Sequence, residues 1–158
     1  MDKPTVYIET SIVSYLAARP SRDPVTLRNQ QLTHEWWNTR RHDYALFTSR
    51  AVVDEAAAGD AQTAQARIAL LAGVERLPRQ QQLSLLADEI YRTLKLPPRV
   101  RTDAAHIAFA AAYGVTYLLT WNCKHIANPA LRRRLEWACR LRGFSLPVLC
   151  TPETLLRE

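Results

Sequence analysis

Five short apolar runs recur along the chain: Val6 to Ile8, Ala45 to Thr48, Val74 to Leu77, Tyr117 to Thr120, and Val148 to Cys150. Longer segments with helical periodicity separate them. Strands that alternate with helices imply βαβ crossovers, and so a mostly parallel sheet covered by helices on both faces. Gly59, Gly73, Gly114 and Gly143 each follow an apolar-periodic segment, where a helix C-cap glycine belongs. Asp60 is placed to cap the helix running through Ile68, Leu71 and Ala72, and Arg22-Asp23-Pro24 opens another long helix with proline in its first turn. Leu96-Pro97-Pro98 marks a loop between a Leu83–Leu94 helix and a Thr102–Tyr113 helix. The chain shows no repeat, low-complexity tract or linker, and the pattern predicts one domain over residues 1–158.

Composition narrows the class. At 158 residues and 47% hydrophobic, the chain can bury a full core. No apolar run approaches the ~20 residues needed to span a bilayer. Met1-Asp2-Lys3-Pro4 leads directly into the first run, so no signal peptide and a cytoplasmic protein are expected. Three cysteines, Cys123, Cys139 and Cys150, make no disulfide framework. Cys123-Lys124-His125 resembles half of a zinc site, but no second close pair accompanies it. The net charge of +6 is compatible with a polyanionic partner, and equally with solubility alone.

Polar residues stand where these elements meet. Glu9 follows the first run in Val6-Tyr7-Ile8-Glu9-Thr10-Ser11, and in open α/β sheets ligands bind outside the carboxyl ends of strands. A solvated acid near a helix N-terminus is the ordinary alternative, with Thr10-Ser11 expected to cap that helix. Glu55 would share a helix face with Ala51 and Val52, whereas Asp54 turns about 100° away to meet Arg50. Asp103 opens a helix on which it shares a face with His106, Ile107 and Ala110. His106 itself reads as a hydrogen-bonded core or metal-supporting histidine rather than a ligand. Asn122 follows the fourth run, where turn chemistry explains it and where its carbonyl oxygen could also serve a hard cation. Together the four suit Mg²⁺ or Mn²⁺, which need oxygen ligands gathered from several elements. Carboxylate metal sites in turn suit phosphodiester hydrolysis.

Four segments carry a resemblance: Tyr7 to Leu16 (YIETSIVSYL), Val52-Val53-Asp54-Glu55, Asp103-Ala104-Ala105-His106-Ile107-Ala108, and Leu118 to Asn128 (LLTWNCKHIAN). In this order and spacing the chain resembles the PIN-domain nucleases, and within them the VapC-like toxins of type II toxin–antitoxin systems. The resemblance implies a three-layer α/β/α PIN-like fold with a central, mostly parallel five-stranded sheet in the order 3-2-1-4-5. It also implies acids at the carboxyl edge holding one or two Mg²⁺ or Mn²⁺ ions that cleave RNA. The family's first acid, usually Asp, maps to Glu9; its helix glutamate maps to Glu55 and its third acid to Asp103. The fourth acid, usually Asp, maps to Asn122, while Ser11 and Thr120 match the supporting hydroxyls. Asn122 removes a charge, which bears on a second metal and on catalytic power.

The expected function is therefore a metal-dependent endoribonuclease, the toxin of a pair, with an RNA substrate and a small antitoxin protein as partners. A homodimer is compatible with this, and no membrane is involved. The alternative is a catalytically weakened PIN module that binds RNA or a protein partner without turnover; a DNA-directed nuclease differs only in substrate. Candidate RNA contacts are Lys124, His125, Arg99, Arg101, and a helix face carrying Arg133, Trp137 and Arg140. An ordinary solvated face, with Trp137 partly buried, explains the last group as well. Trp36-Trp37 is expected to pack the core or a dimer contact.

Overall fold

The computed structural model describes residues 2–158, the Arg99 side chain excepted. The strands are β1 (Thr5–Ile8), β2 (Ala45–Thr48), β3 (Glu75–Arg76), β4 (Tyr117–Leu119) and β5 (Val148–Cys150). The helices are α1 (Thr10–Ala17), α2 (Pro24–Thr39), α3 (Arg50–Ala56), α4 (Ala61–Leu71), α5 (Gln81–Leu94), α6 (Arg101–Ala112), α7 (Arg132–Leu141) and α8 (Pro152–Leu156). All five predicted runs match strands to within one residue at either end. The shortest, β3, loses a residue at both ends and keeps only Glu75 and Arg76; this edge strand pairs with Phe47 and Thr48 of β2 and has no second neighbour. Its flanks, Val74 and Leu77, turn into the core instead.

The sheet runs β3-β2-β1-β4-β5 and every pairing is parallel, which is the order the resemblance implied. Val6, Tyr7 and Ile8 are all buried, although successive side chains point to opposite faces. Helices on both faces account for this, as in other sheets with two covered sides. The chain winds outward from β1 to β3, then returns to β4 on the other side of β1. That reversal is a topological switch point, and the crevice it opens lies beyond the carboxyl ends of β1 and β4. Glu9 and Asn122 follow those two ends.

Several helix boundaries follow from local chemistry. Asp23 accepts the Thr26 N–H at 2.9 Å and Asp60 accepts the Thr63 N–H at 3.0 Å, as their positions predicted. Gly59 and Gly143 adopt the left-handed conformation with φ 86° and 81° after α3 and α7, whereas Gly73 does not and serves only as a turn residue. The expected Thr10-Ser11 cap is not formed. Glu9 occupies the N-cap position of α1 without a side-chain cap bond, because both hydroxyls reach across to other partners. Trp36 is buried in the core, and Trp37 is half-buried with the Arg41 guanidinium 5.0 Å above its ring. No helix among the described residues is long and apolar enough to cross a membrane.

Candidate metal centre

Ile8 pairs with Leu119, and the Glu9 N–H continues the ladder by donating to the Leu119 carbonyl at 3.2 Å. This leaves the Glu9 side chain at the mouth of the β1–β4 crevice, only 5% exposed. Its Oε1 accepts two hydroxyls, Ser11 Oγ and Thr120 Oγ1, each at 2.5 Å. Both hydroxyls are held in turn. Ser11 Oγ accepts the Trp121 N–H at 2.8 Å, and Thr120 Oγ1 accepts the Asn122 N–H at 2.9 Å. The supporting roles expected of Ser11 and Thr120 are thus seen as contacts. Charge-assisted bonds of this kind are shorter and stronger than neutral ones.

Glu55 arrives from α3, whose N-terminus is capped by Ser49 accepting the Val52 N–H at 3.4 Å. Its Oε1 also accepts two donors, Thr10 Oγ1 and His106 Nε2, each at 2.6 Å. Burial alone would raise the Glu55 pKa. The His106 hydrogen bond and charge, with the Thr10 bond, outweigh burial and hold it below the usual carboxylate value. Asp54, next door, faces away and pairs with Arg50 at 2.9 Å, with both side chains largely exposed. The helical-face reasoning that separated these two acids is matched by their placement.

His106 is wholly buried on α6 and both ring nitrogens are engaged: Nε2 with Glu55, Nδ1 with Tyr7 Oη at 2.8 Å. Burial opposes its protonation, but the Glu55 hydrogen bond and the charges of Glu9, Glu55 and Asp103 raise its pKa above the ordinary value. Tyr7 is also buried, mainly for that reason its pKa lies well above the ordinary value, and its Oη lies 2.7 Å from Ser49 Oγ. It remains a neutral hydroxyl.

Asp103 lies in the first turn of α6 and is 9% exposed. Burial raises its pKa and the Glu9 charge adds to that, against the Asn122 hydrogen bond and the His106 and His125 charges. His125 Nδ1 sits 3.4 Å from Asp103 Oδ2. Asn122 Oδ1 accepts the His125 N–H at 3.0 Å, so the carbonyl end serves the turn and the amide end faces Asp103. In this arrangement Asn122 acts as a turn cap beside Asp103.

Of the four expected site residues, Glu9 and Glu55 are brought together at the crevice. One ligand atom from each, with one from His106, all lie within 4.8 Å of one another. Asp103 and Asn122 form an adjoining pair, with Asp103 coupled through charge to Glu9 and His106. In both Glu9 and Glu55 the hydrogen bonds fall on Oε1, and Oε2 has no hydrogen-bond partner among the described residues. Two fixed carboxylates, each with one oxygen lacking a hydrogen-bond partner among the described residues, fit a hard divalent cation. His106 fits less well as a ligand, since either nitrogen would first have to break a buried hydrogen bond. Thr10, Tyr7 and Ser49 were not foreseen as parts of this site; Thr10 had been assigned to a cap and Tyr7 to a strand.

The surroundings are mixed in charge. A cleft of about 470 Å³ borders Glu55, with Leu77, Leu83 and Phe109 on its floor and Arg50, Arg79 and Arg101 around it. Arg101 is drawn to Asp88 at 2.5 Å and lies 4.6 Å over the Tyr91 ring. The Arg99 side chain lies outside the described residues. On α7, Arg133 and Arg140 are exposed and Trp137 is 57% exposed, more open to solvent than a partly buried aromatic.

No family model and no curated protein matches the sequence. Solved structures do match the fold. VapBC-1 from nontypeable Haemophilus influenzae aligns with a TM-score of 0.58 at 16% identity, covering 94% of this chain and 98% of that one. VapBC2 from Rickettsia felis, solved with a DNA fragment from its promoter, gives 0.54 at 14% identity over 93% of this chain and 98% of that one. VapC20 of Mycobacterium tuberculosis, a toxin that cleaves the Sarcin-Ricin loop, gives 0.52 at 16% identity over 76% and 92%. The five-stranded parallel sheet with helices on both faces is therefore the PIN-like α/β/α fold of the VapC toxins.

Proposed function

We propose that this protein is a metal-dependent endoribonuclease, a single PIN-like domain over residues 1–158 and the toxin of a toxin–antitoxin pair. One observation carries the reading: Glu9 and Glu55 each have one oxygen tied by two donors and the other left free, on side chains whose ligand atoms lie within 4.8 Å. Glu9, Glu55 and Asp103 would hold Mg²⁺ or Mn²⁺, with Asn122 joining directly or through water. The bound ion would supply Lewis-acid stabilisation of phosphate charge and a lowered pKa for attacking water.

The chain's own residues contribute orientation. Ser11 and Thr120 fix Glu9 against the ends of β1 and β4, while Thr10 and His106 fix Glu55. Burial of Glu9 and Asp103 keeps water from screening these charges. Lys124, exposed beyond Asn122, and the arginines around the cleft would meet the RNA backbone. A cytoplasmic location and a small antitoxin partner accord with this reading, since two of the structural neighbours are VapBC assemblies.

A second reading, an RNA- or protein-binding module without turnover, is favoured by Asn122, which is uncharged and whose Oδ1 already accepts the His125 N–H. The separating experiment incubates single-stranded RNA, structured RNA and single-stranded DNA with the protein in Mn²⁺ or in EDTA. RNA cleavage abolished by EDTA is expected. RNA binding without cleavage would establish the second reading, and cleavage of DNA alone would change the substrate.

A further inference from the structure

Ser49 caps the helix that carries Glu55, yet a chain of hydrogen bonds leaves that cap and returns to α3 at Glu55 through two other elements. Ser49 Oγ lies 2.7 Å from Tyr7 Oη on β1, Tyr7 Oη lies 2.8 Å from His106 Nδ1 on α6, and His106 Nε2 lies 2.6 Å from Glu55 Oε1. Tyr7, Ser49 and His106 are all fully buried, where an unmade hydrogen bond is costly and geometry is correspondingly fixed.

The direction of the chain is set at its acidic end. A carboxylate oxygen can only accept, so His106 Nε2 carries a hydrogen. This holds in either charge state of the ring. With the ring neutral, Tyr7 donates to Nδ1 and takes the Ser49 hydroxyl hydrogen; with the ring charged, Tyr7 turns its hydrogen to Ser49. Ser49 also accepts the Val52 N–H, so the circuit is anchored in the α3 backbone. In both states the hydrogen aimed at Glu55 is the same.

Resting on the metal-dependent reading above, we propose that His106 is a positioning residue. Its Nε2–H, oriented by Tyr7 and Ser49, pins Glu55 Oε1 so that Oε2 faces the cation. Thr10 addresses the same oxygen from α1, so the carboxylate is held from two sides. Glu55 is the more exposed of the two paired acids, its side chain 38% open to solvent, and it gains most from being held. Outer partners that orient ligands in this way are worth roughly 10–100-fold in metal affinity.

The test compares two amides at one position. A Gln amide nitrogen at residue 106 reaches the place of Nε2, whereas an Asn amide reaches only that of Nδ1. Mn²⁺ affinity is measured by titration calorimetry without RNA, alongside the metal-free melting temperature. His106→Asn is expected to weaken Mn²⁺ binding by about 10–100-fold, and His106→Gln to stay close to wild type. Ile90→Val, in the buried core of α5, controls for destabilisation and should leave Mn²⁺ affinity unchanged. Tyr7→Phe keeps the packed ring but removes its hydroxyl; it should weaken binding less than His106→Asn and displace the slowly exchanging His106 ring N–H resonance in ¹H–¹⁵N spectra. Wild-type protein that binds no Mn²⁺ would overturn the metal centre itself. Wild-type binding matched by unchanged affinity in His106→Asn, or in Tyr7→Phe should the former not fold, would overturn the positioning role alone.

Discussion

Asn122→Asp probes the least conventional residue of the site, and the structure sets its expected magnitude. The new carboxylate can still accept the His125 N–H that Asn122 Oδ1 accepts at 3.0 Å, so the turn survives. What is lost is the amide beside Asp103, which favours the Asp103 charge. What is added is a second negative charge beside Asp103. Two unit charges about 4 Å apart at an effective dielectric near 20 repel by roughly 4 kcal/mol, an upper limit. Asp103 already has a raised pKa, so one of the pair will take up a proton and limit the cost. A metal-free destabilisation of up to about 4 kcal/mol follows, each kcal/mol lowering the melting temperature by about 2–4 °C in a chain of this size. A cation reverses the sign, because it turns repulsion into coordination. A tenfold gain in Mn²⁺ affinity would add about 1.4 kcal/mol to the metal-induced stabilisation at saturating metal. The assay is differential scanning fluorimetry with EDTA and with millimolar Mn²⁺. A lower metal-free melting temperature paired with a larger Mn²⁺-induced rise is expected; a variant that changes neither would place residue 122 outside the site and refute the reasoning.

Three further outcomes follow from the same geometry. Glu9→Gln, Glu55→Gln and Asp103→Asn should each lower RNA cleavage by at least about 100-fold, while Asp54→Asn, at an exposed pair with Arg50, should leave cleavage near wild type in the same gel assay. Millimolar Mn²⁺ should raise the wild-type melting temperature by mass action on the native state, and Asp103→Asn should remove most of that rise. For pH, the folded His106 pKa is raised, so the folded state holds that proton more tightly than the unfolded chain. Its contribution is complete below the ordinary value of 6.5 and is lost as pH rises through the folded pKa. Urea denaturation of metal-free protein should therefore show stability declining over that window, and His106→Gln should flatten the decline.

Much of the fold was legible because parallel strands buried on both faces leave plain apolar runs. β2 and β5 appear with the boundaries the runs suggested, and the caps at Asp23 and Asp60 follow from single residues. β3 was overestimated, since Val74 and Leu77 are apolar for the core rather than for the sheet. The site was legible only in part. Glu55 could be told from Asp54 because helical periodicity acts over three or four residues. The circuit through Ser49, Tyr7, His106 and Glu55 joins residues 42, 99 and 51 positions apart, beyond the reach of any local pattern. Thr10 was misassigned for a related reason: a hydroxyl at a helix start suits a cap, and only the fold brings Glu55 within 2.6 Å of it. Asn122 was legible as a candidate from its place after the fourth run, whereas its bond to the His125 N–H appears only in the folded turn.

The central claim is that the carboxylates at the β1–β4 crevice make this fold a metal-dependent ribonuclease. Its most direct test is the initial rate of single-stranded RNA cleavage by wild-type and Glu55→Gln proteins purified in parallel, each in Mn²⁺ and in EDTA. The account predicts cleavage by wild type in Mn²⁺ alone, with the other three conditions at background. Cleavage that persists in EDTA, or that Glu55→Gln retains in full, would contradict it.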